Sequence, residues 1–126
     1  MQQLLKDFYT ITEITLLENK IDATLLLNEN HSIYQGHFPE IPIVPGVCQM
    51  QIIRELLSIG TNKKLRLISA DNMKFLAMIN PKSNKILGVK IDFKNTSEKS
   101  LKVSGNFYFE QQIFFKFSGS FEILEL

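Results

Sequence analysis

Hydrophobic and β-branched positions predict strands in the first part of the chain. Between Tyr9 and Leu27 such residues dominate, and the polar residues 18–20 interrupt them. This pattern predicts two strands joined by a tight turn. Asn28–Gln35 is polar and is predicted to be a loop, whereas residues 2–8 are expected to form a short helix or an irregular turn.

One segment has the pattern of a buried helix. Val47–Ile59 is apolar around most of a helical circumference, and Gly60 is predicted to end the helix. Turn-forming residues at 80–85, 94–100 and 111–112 separate the segments that follow it. Four of these segments are predicted to be strands: Leu65–Met78, Ile86–Phe93, Leu101–Glu110 and Ile113–Leu124. A single helix that is buried on most sides needs a sheet curled around it, so the predicted class is α+β, an antiparallel sheet wrapped around one central helix.

Length and composition narrow the class of protein. The 126 residues predict one domain, spanning 1–126, and the formal net charge of +1 gives no argument for binding nucleic acid or a membrane surface. No run approaches the roughly 20 apolar residues of a membrane span. Cys48, the single cysteine, excludes an internal disulfide, fits a reducing cytoplasm, and is interpreted as a core residue. Two histidines and one cysteine without metal-ligand spacing argue against a zinc site. No cofactor is expected.

The segment Gly36–Ser58 carries the candidate chemistry. His37 is followed by prolines at 39, 42 and 45, and the predicted helix begins directly after them, at Gly46. The prolines restrict the conformations open to this segment, which favours a fixed position for the imidazole. A histidine suits proton transfer near neutral pH. The first N–H groups of a helix have no partner within it, so those of Gly46 and Val47 could stabilise negative charge on a substrate oxygen.

These residues resemble a known family, the 3-hydroxyacyl-[acyl-carrier-protein] dehydratases, which have the hot-dog fold. The resemblance covers roughly Ile11–Phe121 and is most specific in Gly36-His37-Phe38-Pro39, Pro42 and Pro45-Gly46-Val47. It implies that His37 takes the α-proton of a β-hydroxyacyl thioester and that Gly46 stabilises the thioester carbonyl. It also implies a homodimer or a trimer of dimers, with each site at a dimer interface, and acyl carrier protein as the partner that presents the substrate.

The sequence departs from the family at the expected acid. The family has Glu or Asp fourteen residues after the histidine and Gln four residues later, whereas this chain has Gln51 and then Glu55. Three interpretations stay open: Gln51 orients the hydroxyl in an altered dehydratase, Glu55 takes over the acid role, or the chain is an inactive partner of an active homologue. As an alternative without function, Glu55 reaches solvent or forms a local ion pair near Arg54.

The remaining predictions concern contacts with the substrate and with a partner. Tyr34 and Phe38 are candidates to line an acyl channel, although core packing explains aromatic residues equally well. A basic cluster is a candidate contact for acyl carrier protein or, alternatively, a solvated turn: Lys63, Lys64 and Arg66. His31 is expected to be exposed and without function.

Three functions are therefore considered. The first is a dehydratase of fatty-acid, lipid A, polyketide or aryl polyene-type synthesis. The second is a catalytically impaired hot-dog subunit that binds acyl chains or pairs with an active homologue. The third, an acyl thioesterase, is least favoured, because thioesterases of this fold lack the GHFP…PG pattern and need a carboxylate placed for water.

Overall fold

The computed structural model describes residues 7–36 and 42–124. In this part of the chain, six strands and two helices follow one another in the order β1, β2, α1, α2, β3, β4, β5, β6. Their bounds are β1 Tyr9–Leu17, β2 Lys20–Leu27, α1 Ile33–Gly36, α2 Gly46–Thr61, β3 Lys64–Phe75, β4 Ile86–Ser97, β5 Ser100–Phe109 and β6 Gln112–Leu124.

The six strands form one antiparallel sheet in the order β1-β2-β4-β5-β6-β3. Consecutive strands pair as hairpins, except that β2 pairs with β4 and the chain returns from α2 to add β3 at the far edge. Buried and exposed positions alternate along β2 and β5, as expected when one face of a sheet covers a core and the other faces water. The predicted α+β hot-dog arrangement is confirmed.

Helix α2 packs on the core face of the sheet. Ile52, Ile53, Leu56 and Leu57 are completely buried there. Gly105 of β5 lets the helix approach closely, because a Cβ atom at this position would lie 3.2 Å from Ile53 Cδ1. The apolar surface of α2 is thus covered by the sheet, and its first turn is placed beside the end of β3.

The predicted end of the helix is wrong. Gly60 lies inside α2, which continues to Thr61, and Asn62 takes the left-handed C-terminal position with φ 55°. Asparagine adopts this conformation more readily than most residues. Gly60 has a packing role instead, since a Cβ atom there would lie 2.4 Å from Ile21 Cδ1 on β2.

Two other segments differ from their prediction. The predicted turn over residues 94–100 is largely strand, because β4 and β5 continue pairing as far as Ser97 and Ser100. The predicted loop Asn28–Gln35 includes most of the single-turn helix α1. Of residues 2–8, only 7 and 8 are described: Asp7 lies in a turn with φ 62°, and Phe8 is fully buried.

The edge strand β3 exposes a row of large apolar side chains. Its pairing with β6 shifts register at two places, and one of its two edges has no neighbouring strand in the sheet. The exposed apolar residues on β3 and just after it are Leu67, Ile68, Met73, Phe75, Leu76 and Met78. Among the described helices, none has the length and apolar character needed to cross a membrane.

Candidate active site

At the start of α2, two N–H groups have no hydrogen-bond partner among the described residues. Pro45 is the N-cap residue, with extended backbone and no side-chain hydrogen bond to the helix. Its carbonyl accepts from the N–H groups of Cys48 at 3.0 Å and Gln49 at 3.2 Å. Helix geometry leaves the preceding N–H groups, those of Gly46 and Val47, without a carbonyl partner inside the helix. These two donors lie at the positive end of the helix dipole, where a substrate oxygen gaining negative charge would be stabilised.

Phe75 packs directly against this helix start. A Cβ atom at Gly46 would lie 2.9 Å from Phe75 Cζ, so glycine is what allows the ring to sit there. Phe75 also stacks on Phe115, with ring centroids 4.8 Å apart.

Grooves of about 610 Å³ and 580 Å³ flank this contact, and Gly46 and Phe75 line both. In the larger groove, Met50, Leu67, Met73 and Phe121 provide apolar surface, whereas Gln51 and Arg54 are the polar lining residues. Pockets of this size and largely apolar character are typical of small-molecule sites.

Glu55 is a buried carboxylate with two donors directed at it. Only 1% of the surface of this residue is exposed to solvent. The Tyr9 hydroxyl donates to Oε1 at 2.8 Å, and the Gln51 amide donates to Oε2 through Nε2 at 3.0 Å. The alternative in which Glu55 reaches solvent is therefore wrong. Arg54 instead donates from Nε to the Leu65 carbonyl at 2.9 Å.

The larger groove is lined by Gln51, and Glu55 lies behind it. Gln51 is partly exposed and lies one turn before Glu55 on α2. The Gln51 amide turns its NH₂ group toward Glu55, since Nε2 donates to Oε2 at 3.0 Å. Its Oε1 atom then lies on the opposite side of the amide, and it accepts no hydrogen bond from the described residues. At this point of the groove, Gln51 offers a hydrogen-bond acceptor.

Tyr9 is a site residue that sequence reasoning missed. Buried glutamates are rare without partners, so the prediction of a buried helix containing Glu55 could have prompted a search for a donor. The tyrosine lies 46 positions earlier, on β1, and only the topology of the sheet brings it to the helix.

Tyr34 and Cys48 are buried titratable groups near this cluster. Burial, with a smaller contribution from the negative charge of Glu55, raises the pKa of the Cys48 thiol. Burial, with a smaller contribution from Cys48, raises the pKa of the Tyr34 hydroxyl. Both groups therefore stay protonated at neutral pH. The Tyr34 hydroxyl is buried and has no hydrogen-bond partner among the described residues.

The other predicted site residues have different outcomes. His37 and Phe38 lie outside the described residues. Val47 is the most exposed large apolar residue described, at 78%. His31 is half-buried rather than exposed, accepts the Ile33 N–H at Nδ1, and meets Phe8 edge to face.

The predicted basic cluster is on the surface. Lys63 and Lys64 are exposed, at the start of β3. Arg66 is also exposed but forms an ion pair with Glu122 of β6, which leaves less of its charge available to a partner. Among the described residues, no group of His, Cys, Asp and Glu could hold a metal ion.

Two relatives illustrate the similarity in sequence. The 3-hydroxyacyl-[acyl-carrier-protein] dehydratase FabZ of Erythrobacter litoralis is 28% identical over 98 residues, which are 71% of this chain and 64% of that protein. The enzyme of the same name from Lactococcus lactis subsp. cremoris is 31% identical over 84 residues, 61% of this chain and 58% of that protein. The chain thus spans less than two thirds of the length of these relatives.

Solved structures and a family model extend the comparison. The dehydratase heterocomplex ApeI:P from Xenorhabdus doucetiae aligns with a TM-score of 0.69 and 18% identity, covering 92% of this chain and 97% of that one. A hypothetical thioesterase with coenzyme A from Streptococcus pneumoniae aligns with a TM-score of 0.68 and 9% identity, over 97% and 91% of the two chains. At these identities they show the hot-dog fold alone. The family model described as ApeI-like, ApeI dehydratase, matches residues 13–113, and this chain therefore belongs to the ApeI-like dehydratase family.

Proposed function

We propose that the chain eliminates water from a β-hydroxyacyl thioester carried by acyl carrier protein. The observation that carries this proposal is the uncapped start of α2, where Gly46 lines two grooves of acyl size and Val47 lines the larger one. Membership of a dehydratase family supports the same reaction. The full chemistry, the substrate and the carrier are parts of the proposal.

The proposed reaction needs one proton carrier. The His37 imidazole takes the proton from Cα, and the electron pair moves to the thioester carbonyl. The carbonyl oxygen then accepts hydrogen bonds from the N–H groups of Gly46 and Val47. When the electrons return, the Cα=Cβ bond forms and the Cβ–O bond breaks. The imidazolium gives its proton to the departing hydroxyl, which leaves as water. Gln51 accepts a hydrogen bond from this hydroxyl through Oε1 and keeps it oriented.

This scheme assigns Glu55 no proton transfer. Its oxygens accept hydrogen bonds from Tyr9 and Gln51, and its residue exposure of 1% keeps it away from the groove surface. A neutral amide such as Gln51 cannot act as an acid near neutral pH. We therefore expect turnover to be slower than in a relative that has a carboxyl group at position 51, since a positioned general acid contributes about 10²–10⁴-fold.

Two properties of the surface support a second candidate, a subunit that completes its site with another chain. Gln51 occupies the place where the related enzymes carry an acid. Strand β3 exposes Ile68 and Phe75 at a sheet edge, and Met78 is exposed just after the strand. An apolar strand edge without a neighbour favours pairing with a second chain. The Xenorhabdus doucetiae neighbour is described as a heterocomplex. We propose pairing through this edge, with a second copy of the chain or with an active homologue.

Carrier protein binding is proposed for the surface near the start of β3. Lys63 and Lys64 are exposed and suited to an acidic partner. Arg66 is a weaker candidate because of its pairing with Glu122. Tyr34, Val47 and Phe38 stay proposals for contacts with the acyl chain. Fatty-acid, polyketide and aryl polyene-type synthesis are the candidate pathways.

The deciding experiment measures hydration of a crotonyl group on acyl carrier protein and dehydration of the 3-hydroxybutyryl form. We expect slow turnover by the purified wild-type chain and none by His37→Ala. If the purified chain is inactive but raises turnover by an active homologue above that of the homologue alone, the second candidate is supported. If free thiol is released and the acyl group is neither hydrated nor dehydrated, both candidates are overturned in favour of a thioesterase.

A further inference from the structure

The hydrogen bonds around Glu55 form a chain that begins on β1 and ends at the groove. Tyr9 donates to one carboxylate oxygen of Glu55 at 2.8 Å, and Gln51 donates to the other at 3.0 Å. Tyr9 is 6% exposed and Glu55 is 1% exposed, so water does not compete strongly for these bonds. A carboxylate in such a place needs donors, and here two different elements of the fold provide them.

This arrangement determines which end of the Gln51 amide faces the groove. The amide has donors at one end and an acceptor at the other, and both orientations would fit a groove of this shape. In the structure the NH₂ end faces Glu55, with Nε2 donating to Oε2 at 3.0 Å. The Oε1 end is therefore directed away from Glu55, on a side chain that lines the 610 Å³ groove.

Tyr9 fixes the carboxylate itself. Gln51 and Glu55 lie on the same helix and their side chains are flexible, so alone they could move together. Tyr9 lies on β1, where it pairs with Leu27 of β2, and its hydroxyl holds the Oε1 side of the carboxylate from outside the helix. The sheet thereby limits the positions that both side chains can take.

We propose that Tyr9 and Glu55 are positioning residues, which hold the Gln51 amide with Oε1 toward the groove so that it accepts the hydroxyl group of a β-hydroxyacyl substrate. This inference rests on the proposed function for the identity of the substrate. The orientation of the Gln51 amide is inferred only from the hydrogen bonds that Glu55 accepts from Tyr9 and Gln51.

The kinetic test uses Tyr9→Phe and Glu55→Gln. Each removes part of the chain of hydrogen bonds while keeping the shape of the side chain. We expect kcat to fall about tenfold with KM changed less than about twofold, because an oriented contact to the departing group acts mainly in the transition state. Tyr108→Phe is the matched control, since Tyr108 lies on β5 apart from this cluster, with Lys90 over its ring.

A double-mutant cycle separates positioning from a general loss of structure. In a Gln51→Ala background, Tyr9→Phe is expected to have no further effect on kcat, because the amide it positions is gone. An equal fall of kcat in both backgrounds overturns the proposal.

A second measurement does not depend on activity. The side-chain amide protons of Gln51, assigned by their loss in Gln51→Ala, are observed by ¹H–¹⁵N correlation spectroscopy. We expect Glu55→Gln and Tyr9→Phe to narrow the separation of these two proton shifts, and Tyr108→Phe to leave it unchanged. If the Gln51 amide proton shifts are unchanged in Glu55→Gln, the proposed positioning of Gln51 is overturned, even when the wild-type protein is an active dehydratase. If the wild-type protein is inactive but the shifts change as expected, only the proposed function is overturned.

Discussion

The Tyr9 hydroxyl and the Glu55 carboxylate meet 2.8 Å apart inside the core, although 46 positions separate them in the chain. The contact joins an edge strand to the central helix. It also accounts for a carboxyl group on the buried side of a largely apolar helix, because that group is hydrogen-bonded where it is buried.

Removal of the Tyr9 hydroxyl is expected to destabilise the fold. Tyr9→Phe leaves the buried carboxylate of Glu55 with one donor fewer, and hydrogen bonds to charged groups contribute about 1.5–3 kcal/mol. The free energy of unfolding, measured with urea, should fall by this amount. Tyr108→Phe, which removes a hydroxyl that forms no hydrogen bond with the described residues, should change it by less than about 0.5 kcal/mol. Equal losses in the two variants would contradict the role of the contact.

Gln51→Glu is expected to increase dehydration. The new carboxyl group would lie beside Glu55, at a place where Nε2 of Gln51 now lies 3.0 Å from Oε2. Two carboxylates so close cannot both ionise easily, so one holds a proton that it can donate. We expect kcat to rise by at least about tenfold. The double variant Gln51→Glu with His37→Ala should be inactive, and activity that survives in it would contradict the role of His37.

Gly46→Ala is expected to disturb the helix start through Phe75. The added methyl group would lie 2.9 Å from Phe75 Cζ, and the stack on Phe115 limits how far the ring can move. Because Phe75 is half-exposed, we expect a loss of about 1 kcal/mol in the free energy of unfolding, at the low end of overpacking effects. Combination with Phe75→Leu should recover most of that loss. A double variant no more stable than Gly46→Ala would contradict this explanation.

A charge on β3 is expected to prevent association. Ile68→Lys places an ammonium group at the exposed apolar edge, where pairing would bury it without a partner. Such a buried charge costs about 2–5 kcal/mol, so the Kd of the proposed dimer should rise by more than about tenfold, as measured by sedimentation. Leu26→Lys is the control, because Leu26 is exposed on an interior strand of the sheet. Equal weakening by the two variants would argue against pairing through β3.

Stability is expected to fall at alkaline pH. Burial raises the pKa of the Cys48 thiol in the folded chain, so the folded state keeps a proton that the unfolded state loses above the ordinary value of 9.0. Burial of Tyr34 acts in the same direction at higher pH. The stabilisation is complete below the unfolded pKa and is lost as the pH rises toward the folded one. Each group contributes at most about 1.4 kcal/mol per pH unit.

Unfolding of wild type and Cys48→Ala with urea between pH 8 and 10.5 measures this effect. The variant loses packing at every pH, but its free energy of unfolding should decline less steeply as the pH rises. Parallel slopes would exclude a contribution from Cys48.

Local pattern was sufficient for the order of the six strands and the central helix, but not for α1. The apolar character of Val47–Ile59 predicted the buried helix, and the tight turn before Lys20 is present, with Asn19 at φ 66°. The end of α2 could not be predicted from the local sequence pattern. Glycine is a common stop signal, but Gly60 is needed for the close approach of Ile21, a contact that depends on the sheet.

The candidate site was predicted by its motif and not by its contacts. Gln51 and Glu55 could be placed on one helix surface from their spacing, and Gly46 at the helix start from the prolines before it. The burial of Glu55 and its bond to Tyr9 depend on pairing between distant segments, as does the ion pair of Arg66 with Glu122. A single sequence contains no local signal for such pairs.

Arg54 connects the wall of the larger groove with the beginning of β3. Arg54 lines the larger groove, and its Nε donates to the Leu65 carbonyl at the beginning of β3. If the chain pairs through β3 as proposed, a partner that twisted this strand would also displace a wall of the groove. The width of the groove would then depend on assembly as well as on the residues that line it.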